Sequence, residues 1–294
     1  MIVIIVLVLI GFFLEKRGTV DRITSKNIST IIMDICNPAL MLYSALSGQV
    51  QADHTEILTA AGLGAAFYFL LVVIGFVFPR IIRVERSERH FYNAMCVYTN
   101  VGFIGIPVAH AILPADGMLF VLVCNVMYSL LFYTHGVIVL SGGKERIRPG
   151  KIFSPGTIAA ILSLVLFWFR VTPPAVVVEL FDYIGGATVF LSMMLLGVAI
   201  ARSNLIEGMK NIRIWLYVLL RMILFPTALI LVLSVVDFPE TIENSMCLMA
   251  AMPIGNLPLI QAEKTGEDTT LLSGAIAIST IVSMITITVF MSVV

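Results

Sequence analysis

Two stretches of the sequence bring amides and helix-breaking residues together. The first is Thr99-Asn-Val-Gly-Phe-Ile-Gly-Ile-Pro107, the second Ala251-Met-Pro-Ile-Gly-Asn-Leu-Pro258. In a regular α-helix, Pro107 and Pro258 cannot donate to the Phe103 and Ile254 carbonyls, and Pro253 cannot donate to Met249. Gly102, Gly105 and Gly255 lower the cost of leaving helical geometry. The chemistry such a place supports is binding. A half-helix that restarts after a break points its N–H groups and positive dipole end at an anion, and the freed carbonyls suit a cation. Asn100 and Asn256 add amides that both donate and accept; each alternatively serves as a helix–helix hydrogen bond. The candidate substrate-binding positions are Asn100, Gly105, Pro107, Val108, Gly255, Asn256, Pro258 and Leu259.

Three charged residues inside apolar runs are candidates for charge coupling: Arg221, Asp34 and Asp182. Arg221 lies about nine residues into its segment, roughly 13 Å at the helical rise. There it either attracts a carboxylate or snorkels to the headgroups. Asp34 and Asp182 read as proton carriers, as partners of Arg221, or as interfacial carboxylates. His110 and Gln261 follow the two prolines by one turn and read as lining residues, while Ser279, Thr280, Ser283 and Thr286 form a hydroxyl stripe suited to helix packing. No His-Glu-x-x-His or Gly-x-Ser-x-Gly pattern is present, and Gly142-Gly143-Lys144 lacks phosphate-loop spacing. Cys36, Cys96, Cys124 and Cys247 fall in apolar runs and read as buried hydrophobes. The expectation is therefore no enzyme, no metal and no cofactor.

The elements that must hold these residues follow from composition. The 294 residues are 59% hydrophobic and 12% charged, with mean hydropathy +1.03. Soluble domains are about 45–50% apolar and ~25% charged. The 18 basic and 18 acidic residues cancel, which excludes the basic footprint of a nucleic-acid binder. Long continuous apolar runs exclude a barrel. The expected fold is an all-α polytopic membrane protein of about ten transmembrane helices. The segments are about 1–14, 27–47, 57–79, 91–112, 117–140, 155–170, 175–201, 212–235, 243–262 and 270–294. The first is short for a span and lacks the basic start and cleavage site of a signal peptide.

Sixteen of the 18 basic residues fall on the odd-numbered loops, among them Lys16, Arg17, Arg83, Arg86, Lys144, Arg146, Arg148, Lys151, Arg202 and Lys264. Of the even loops only the sixth has one, Arg170. The positive-inside rule then puts the odd loops in the cytoplasm and both termini outside the cell membrane. At an offset of 151, Asn93-Ala-Met-Cys96 maps onto Asn244-Ser-Met-Cys247 and Pro107 onto Pro258, with five of 19 positions identical over 93–111. Five spans per half is odd, so the halves are inverted repeats, 1–145 and 146–294, whose fourth and ninth helices are broken.

These residues also carry a resemblance. Asn100-x-Gly102-x-x-Gly105-x-Pro107 and Pro253-x-Gly255-Asn256-x-Pro258 resemble the auxin efflux carrier family, whose bacterial members are often called malate or malonate permeases. Lys16-Arg17-Gly18, Asn37-Pro38-Ala39-Leu40, Leu196-Gly197, and Arg221 with Pro226 match along the whole chain. The resemblance implies two inverted five-helix repeats with helices four and nine crossing at their broken centres. It implies alternating-access transport of small organic anions, especially carboxylates. The partners it implies are that anion, a coupling proton or sodium ion, the lipid bilayer and a second copy in a homodimer. A sodium-coupled symporter of related fold, with a cation at the crossing, is the alternative.

Overall fold

The computed structural model describes residues 2–48, 50–143, 149–202, 205–236 and 238–293, with no account of the side chains of Pro149, Lys151, Ile206 and Glu207. The expected 145/146 boundary and the basic residues Lys144, Arg146 and Arg148 lie outside the described residues. Twelve helical segments position the site. They are α1 (Ile2–Lys16), α2 (Arg22–Leu46), α3 (His54–Ile81), α4 (Arg89–Val97), α5 (Val101–Ile112), α6 (Ala115–Leu140), α7 (Pro155–Trp168), α8 (Ala175–Arg202), α9 (Ile212–Leu233), α10 (Glu240–Ala251), α11 (Leu257–Lys264) and α12 (Thr270–Val293). Six of these, α2, α3, α6, α8, α9 and α12, are long and apolar enough to cross a membrane; α5 and α7 are shorter apolar helices. The segments expected near 91–112 and 243–262 are each split in two, as α4–α5 and α10–α11.

Pro107 acts differently from the expectation, whereas Pro253 lies in a break as expected. Four turns are π-helical: Ile32–Cys36, Val101–Gly105, Phe132–Gly136 and Val218–Leu224. Three of them run directly into Asn37-Pro38, Ile106-Pro107 and Phe225-Pro226. A widened turn relieves the clash between the ring and the preceding carbonyls, so the helix continues through the proline. The fourth ends at Gly136, where an added Cβ would lie 2.9 Å from the Tyr98 ring.

The helices pack as two groups. α1 lies along α8, which packs on α2, and α2 packs on α7. The α1–α8 crossing is backbone on backbone: a Cβ on Gly197 would meet the Val8 carbonyl, and one on Gly11 the Met194 carbonyl. Small residues let membrane helices approach this closely. In the second group α3 packs on α4 and α6, while α10 packs on α6, α9 and α12. All four cysteines are buried and free.

Candidate functional site

The two breaks cross each other. Between α4 and α5 the chain is non-helical at Tyr98–Asn100, and between α10 and α11 from Met252 to Asn256. Thr99 and Ile254 form an isolated antiparallel bridge. Asn100 N–H donates to the Pro253 carbonyl at 2.8 Å, and Gly255 N–H donates to the Tyr98 carbonyl at 2.9 Å. Ile254 N–H donates to the Ser279 hydroxyl of α12 at 3.3 Å. Backbone polar groups at membrane depth need partners within the protein, and here the two breaks largely supply each other. Gly255 is required by the approach, since a Cβ there would sit 2.7 Å from the Thr99 carbonyl oxygen.

Four half-helix ends meet at this point, and they are treated oppositely. The two C-terminal ends are held by α9. Arg221 is fully buried; its Nε donates to the Cys96 carbonyl at 3.0 Å and its Nη1 to the Ala250 carbonyl at 2.6 Å. Tyr217, one turn earlier, donates its hydroxyl to the Met95 carbonyl at 2.9 Å. The guanidinium also lies 5.0 Å from the Phe225 ring centroid. Each helix C-terminus carries roughly half a negative charge. Two of them approximately balance one guanidinium, so Arg221 needs no carboxylate. Among the described residues it pairs with none, neither Asp34 nor Asp182. The expectation that it attracts a substrate carboxylate or snorkels gives way to a double helix-end clamp.

The two N-terminal ends instead face open space. Asn100 caps α5, its Oδ1 accepting from Phe103 N–H at 3.2 Å, and its Nδ2 has no partner among the described residues. Asn256 stands at the cap position of α11 with no side-chain cap bond. Both asparagines line two cavities in the seam between the helix groups. One, about 270 Å³, is completed by Ser25, Ser29, Ser192, Arg202, Leu259 and Thr280, among others. The other, about 240 Å³, includes Asp34, Asn37, Thr99, Asn125, Ser129 and Gly255. Both lie just under the ~300–1,000 Å³ usual for ligand pockets, a size for a small solute.

Comparison with known proteins gives the family. The family model described as membrane transport protein matches residues 1–150 and 149–291. This chain belongs to that family. It is the auxin efflux carrier family of the sequence resemblance. An uncharacterized transporter of Methanothermobacter thermautotrophicus is 23% identical over 296 residues, covering 97% of this chain and 94% of the relative. One from Methanocaldococcus jannaschii is 22% identical over 299 residues, covering 97% and 95%. The protein is thus a membrane transporter by family, and the family is not one of enzymes.

Within the transporter, the residues singled out from sequence separate. Asn100, Gly255, Asn256 and Leu259 line the seam cavities, as does Asp34. Gly105, Pro107 and Pro258 are absent from the linings of both, and Val108 borders only a separate apolar void of about 20 Å³. Asp182 is exposed on α8 away from both cavities. The half-helices begin at Val101 and Leu257, ahead of Pro107 and Pro258, because asparagine and glycine make the breaks. Pro107 acts through the π register: lacking an N–H, it leaves the Gly102 carbonyl free, and Asn37 Nδ2 of α2 donates to that oxygen at 2.8 Å. Asn37 and Tyr217 had no assigned role in the sequence, although Asn37-Pro38 was a matched motif.

Proposed function

We propose that the transporter carries a small organic anion, a carboxylate such as malate, malonate or an auxin-like acid, by alternating access. The observation that carries this is the polarity of the crossing. The negative helix ends are neutralised by Arg221 on one side, and the positive ends with their asparagine amides open into the seam cavities. An oriented pair of N-termini favours an anion without a buried cation. Asn100, Gly255, Asn256 and Leu259 form its first contacts. The group holding the crossing (α3–α6 and α9–α12) moves against α1, α2, α7 and α8, because the cavities follow the seam between them.

This reading counts α4–α5 and α10–α11 as one broken span each, giving ten spans in two inverted repeats with both termini outside. Contacts between loops support the alternation. Arg170 after α7 donates to the Ala52 carbonyl before α3, and Asp116 in the first turn of α6 accepts from Gln51 N–H, so the even loops gather. Arg213 pairs with Glu88 at 3.9 Å and His90 with Glu267 at 3.9 Å, so odd loops gather at the other end.

The sodium-coupled alternative is favoured by one observation: Asn37 Oδ1 and Thr99 Oγ1, both at the 240 Å³ cavity, are buried acceptors without a partner among the described residues. Uptake of labelled malonate and malate into proteoliposomes, with and without a sodium or proton gradient, separates the two. Asn100→Ala and Asn256→Ala are expected to lower uptake at least tenfold at normal expression. Wild-type rates in both would remove the crossing as the site.

A further inference from the structure

The larger seam cavity has one cation in its lining, and that cation is already engaged. Arg202, the last residue of α8, donates through Nη2 to Glu15 Oε2 at 2.6 Å and to the Val20 carbonyl at 2.7 Å. Among the described residues Nε and Nη1 have no partner. The guanidinium and carboxylate are both mostly covered, at 24% and 21% side-chain exposure. Between Arg202 and the crossing the lining is polar on several helices at once: Ser25 and Ser29 of α2, Ser192 of α8, Ser273 and Thr280 of α12. Ser192 lies about 15 Å from Arg202 along the α8 axis at ~1.5 Å per residue. The cavity therefore joins a partly satisfied guanidinium at its mouth to the Asn100 and Asn256 amides at its inner end.

We infer that Arg202 is an anion-capturing residue at the cavity mouth and that Glu15 is its built-in competitor. An entering carboxylate displaces Glu15 from Nη2, binds the fork that Nη2 forms with a free neighbouring donor, Nε or Nη1, and passes along the hydroxyls to the half-helix N-termini. A planar guanidinium fork binds a carboxylate through two parallel bonds, which an ammonium does not reproduce. The internal carboxylate sets a threshold: solutes without negative charge do not open the pair. Glu15 thus selects for anions by competition while keeping the mouth arginine paired when no substrate is present. This inference rests on the anion reading above and adds its entry step.

The test is binding to the purified full-length protein, read as the midpoint shift on titration with malonate, malate and acetate, and as the neutral control malonamide. Ligand binding to the folded state raises the midpoint by mass action, from which an apparent Kd follows. Glu15→Gln is expected to tighten malonate binding about three- to tenfold. Arg202→Gln is expected to weaken it more than tenfold and Arg202→Lys less. The double variant should match Arg202→Gln alone, since the competitor has no effect without its arginine. Should Glu15→Gln and Arg202→Gln lower the unliganded midpoint yet keep the wild-type Kd, the pair is a structural tie and the inference fails. If in that case Asn100→Ala still abolishes binding, the anion site at the crossing stands without it. If no carboxylate shifts the wild-type protein, the anion reading fails and the inference falls with it.

Discussion

Arg221 shows how a residue's type and depth can be read from sequence while its role is not. Its place inside an apolar run was plain, and so was the cost of putting it there. Its partners are carbonyls freed by two chain breaks; the sequence reading located the second through Pro253 but set the first at Pro107 rather than at Thr99–Asn100. Arg221→Met removes both donors and leaves the Cys96 and Ala250 carbonyls unpaired. An orphaned buried acceptor costs about 1–3 kcal/mol. The variant is expected to melt well below wild type in detergent, with Arg221→Lys between them, because an ammonium keeps the charge but not the fork. Equal midpoints for all three would refute the clamp. A second residue-scale prediction concerns Asn37. Asn37→Leu strands the Gly102 carbonyl at a similar cost, whereas Pro107→Ala restores an N–H to the helix that holds it. The double variant should recover part of the midpoint lost by Asn37→Leu alone, a non-additivity measurable in a double-mutant cycle.

At the scale of elements, apolar runs gave the helices and their order, because length and hydropathy are local properties. What they did not give is where a helix widens or stops. Pro107, expected to break its helix, is absorbed by a π-helical turn, as are Pro38 and Pro226, and the actual breaks are made where asparagine and glycine let two backbones pair. The α1–α8 contact was legible only as a matched Leu196-Gly197, since the partner Gly11 lies far away in sequence. The structure makes this contact testable with an internal control on one helix. A Cβ at Gly197 would overlap the Val8 carbonyl oxygen, whereas one at Gly186 meets nothing within 4 Å. Gly197→Ala must push the two backbones apart and lose their packing. It is expected to lower the melting midpoint by several degrees. Gly186→Ala, an improvement in helix propensity, should leave it unchanged or slightly higher. A neutral Gly197→Ala would show that α1 is only loosely docked.

At the scale of the whole molecule, the charge distribution and the loop contacts are independent, yet they sort the loops alike. The sixteen basic residues assigned to odd loops come from sequence alone. The gathering of the residues around Glu88, Arg213, His90 and Glu267 at one end, and of Ala52, Asp116 and Arg170 at the other, comes from hydrogen bonds and ion pairs. Neither depends on where α1 or α7 ends, the two elements whose shortness leaves the span count hardest to read. The agreement makes a directional prediction that chemistry can check without knowing the substrate. All four native cysteines are buried, so an impermeant maleimide should find little background. Ser87 lies on the third loop and Thr172 on the sixth, and both are exposed. On intact cells Thr172→Cys should label and Ser87→Cys should not, and lysis should bring both to the same extent. The reverse pattern would invert the molecule in the membrane. Labelling of both from outside would mean that an odd number of spans between them is wrong. The expected pattern would place Arg202 and the mouth of the larger cavity on the cytoplasmic side, so that the structure is the inward-facing member of the alternating pair.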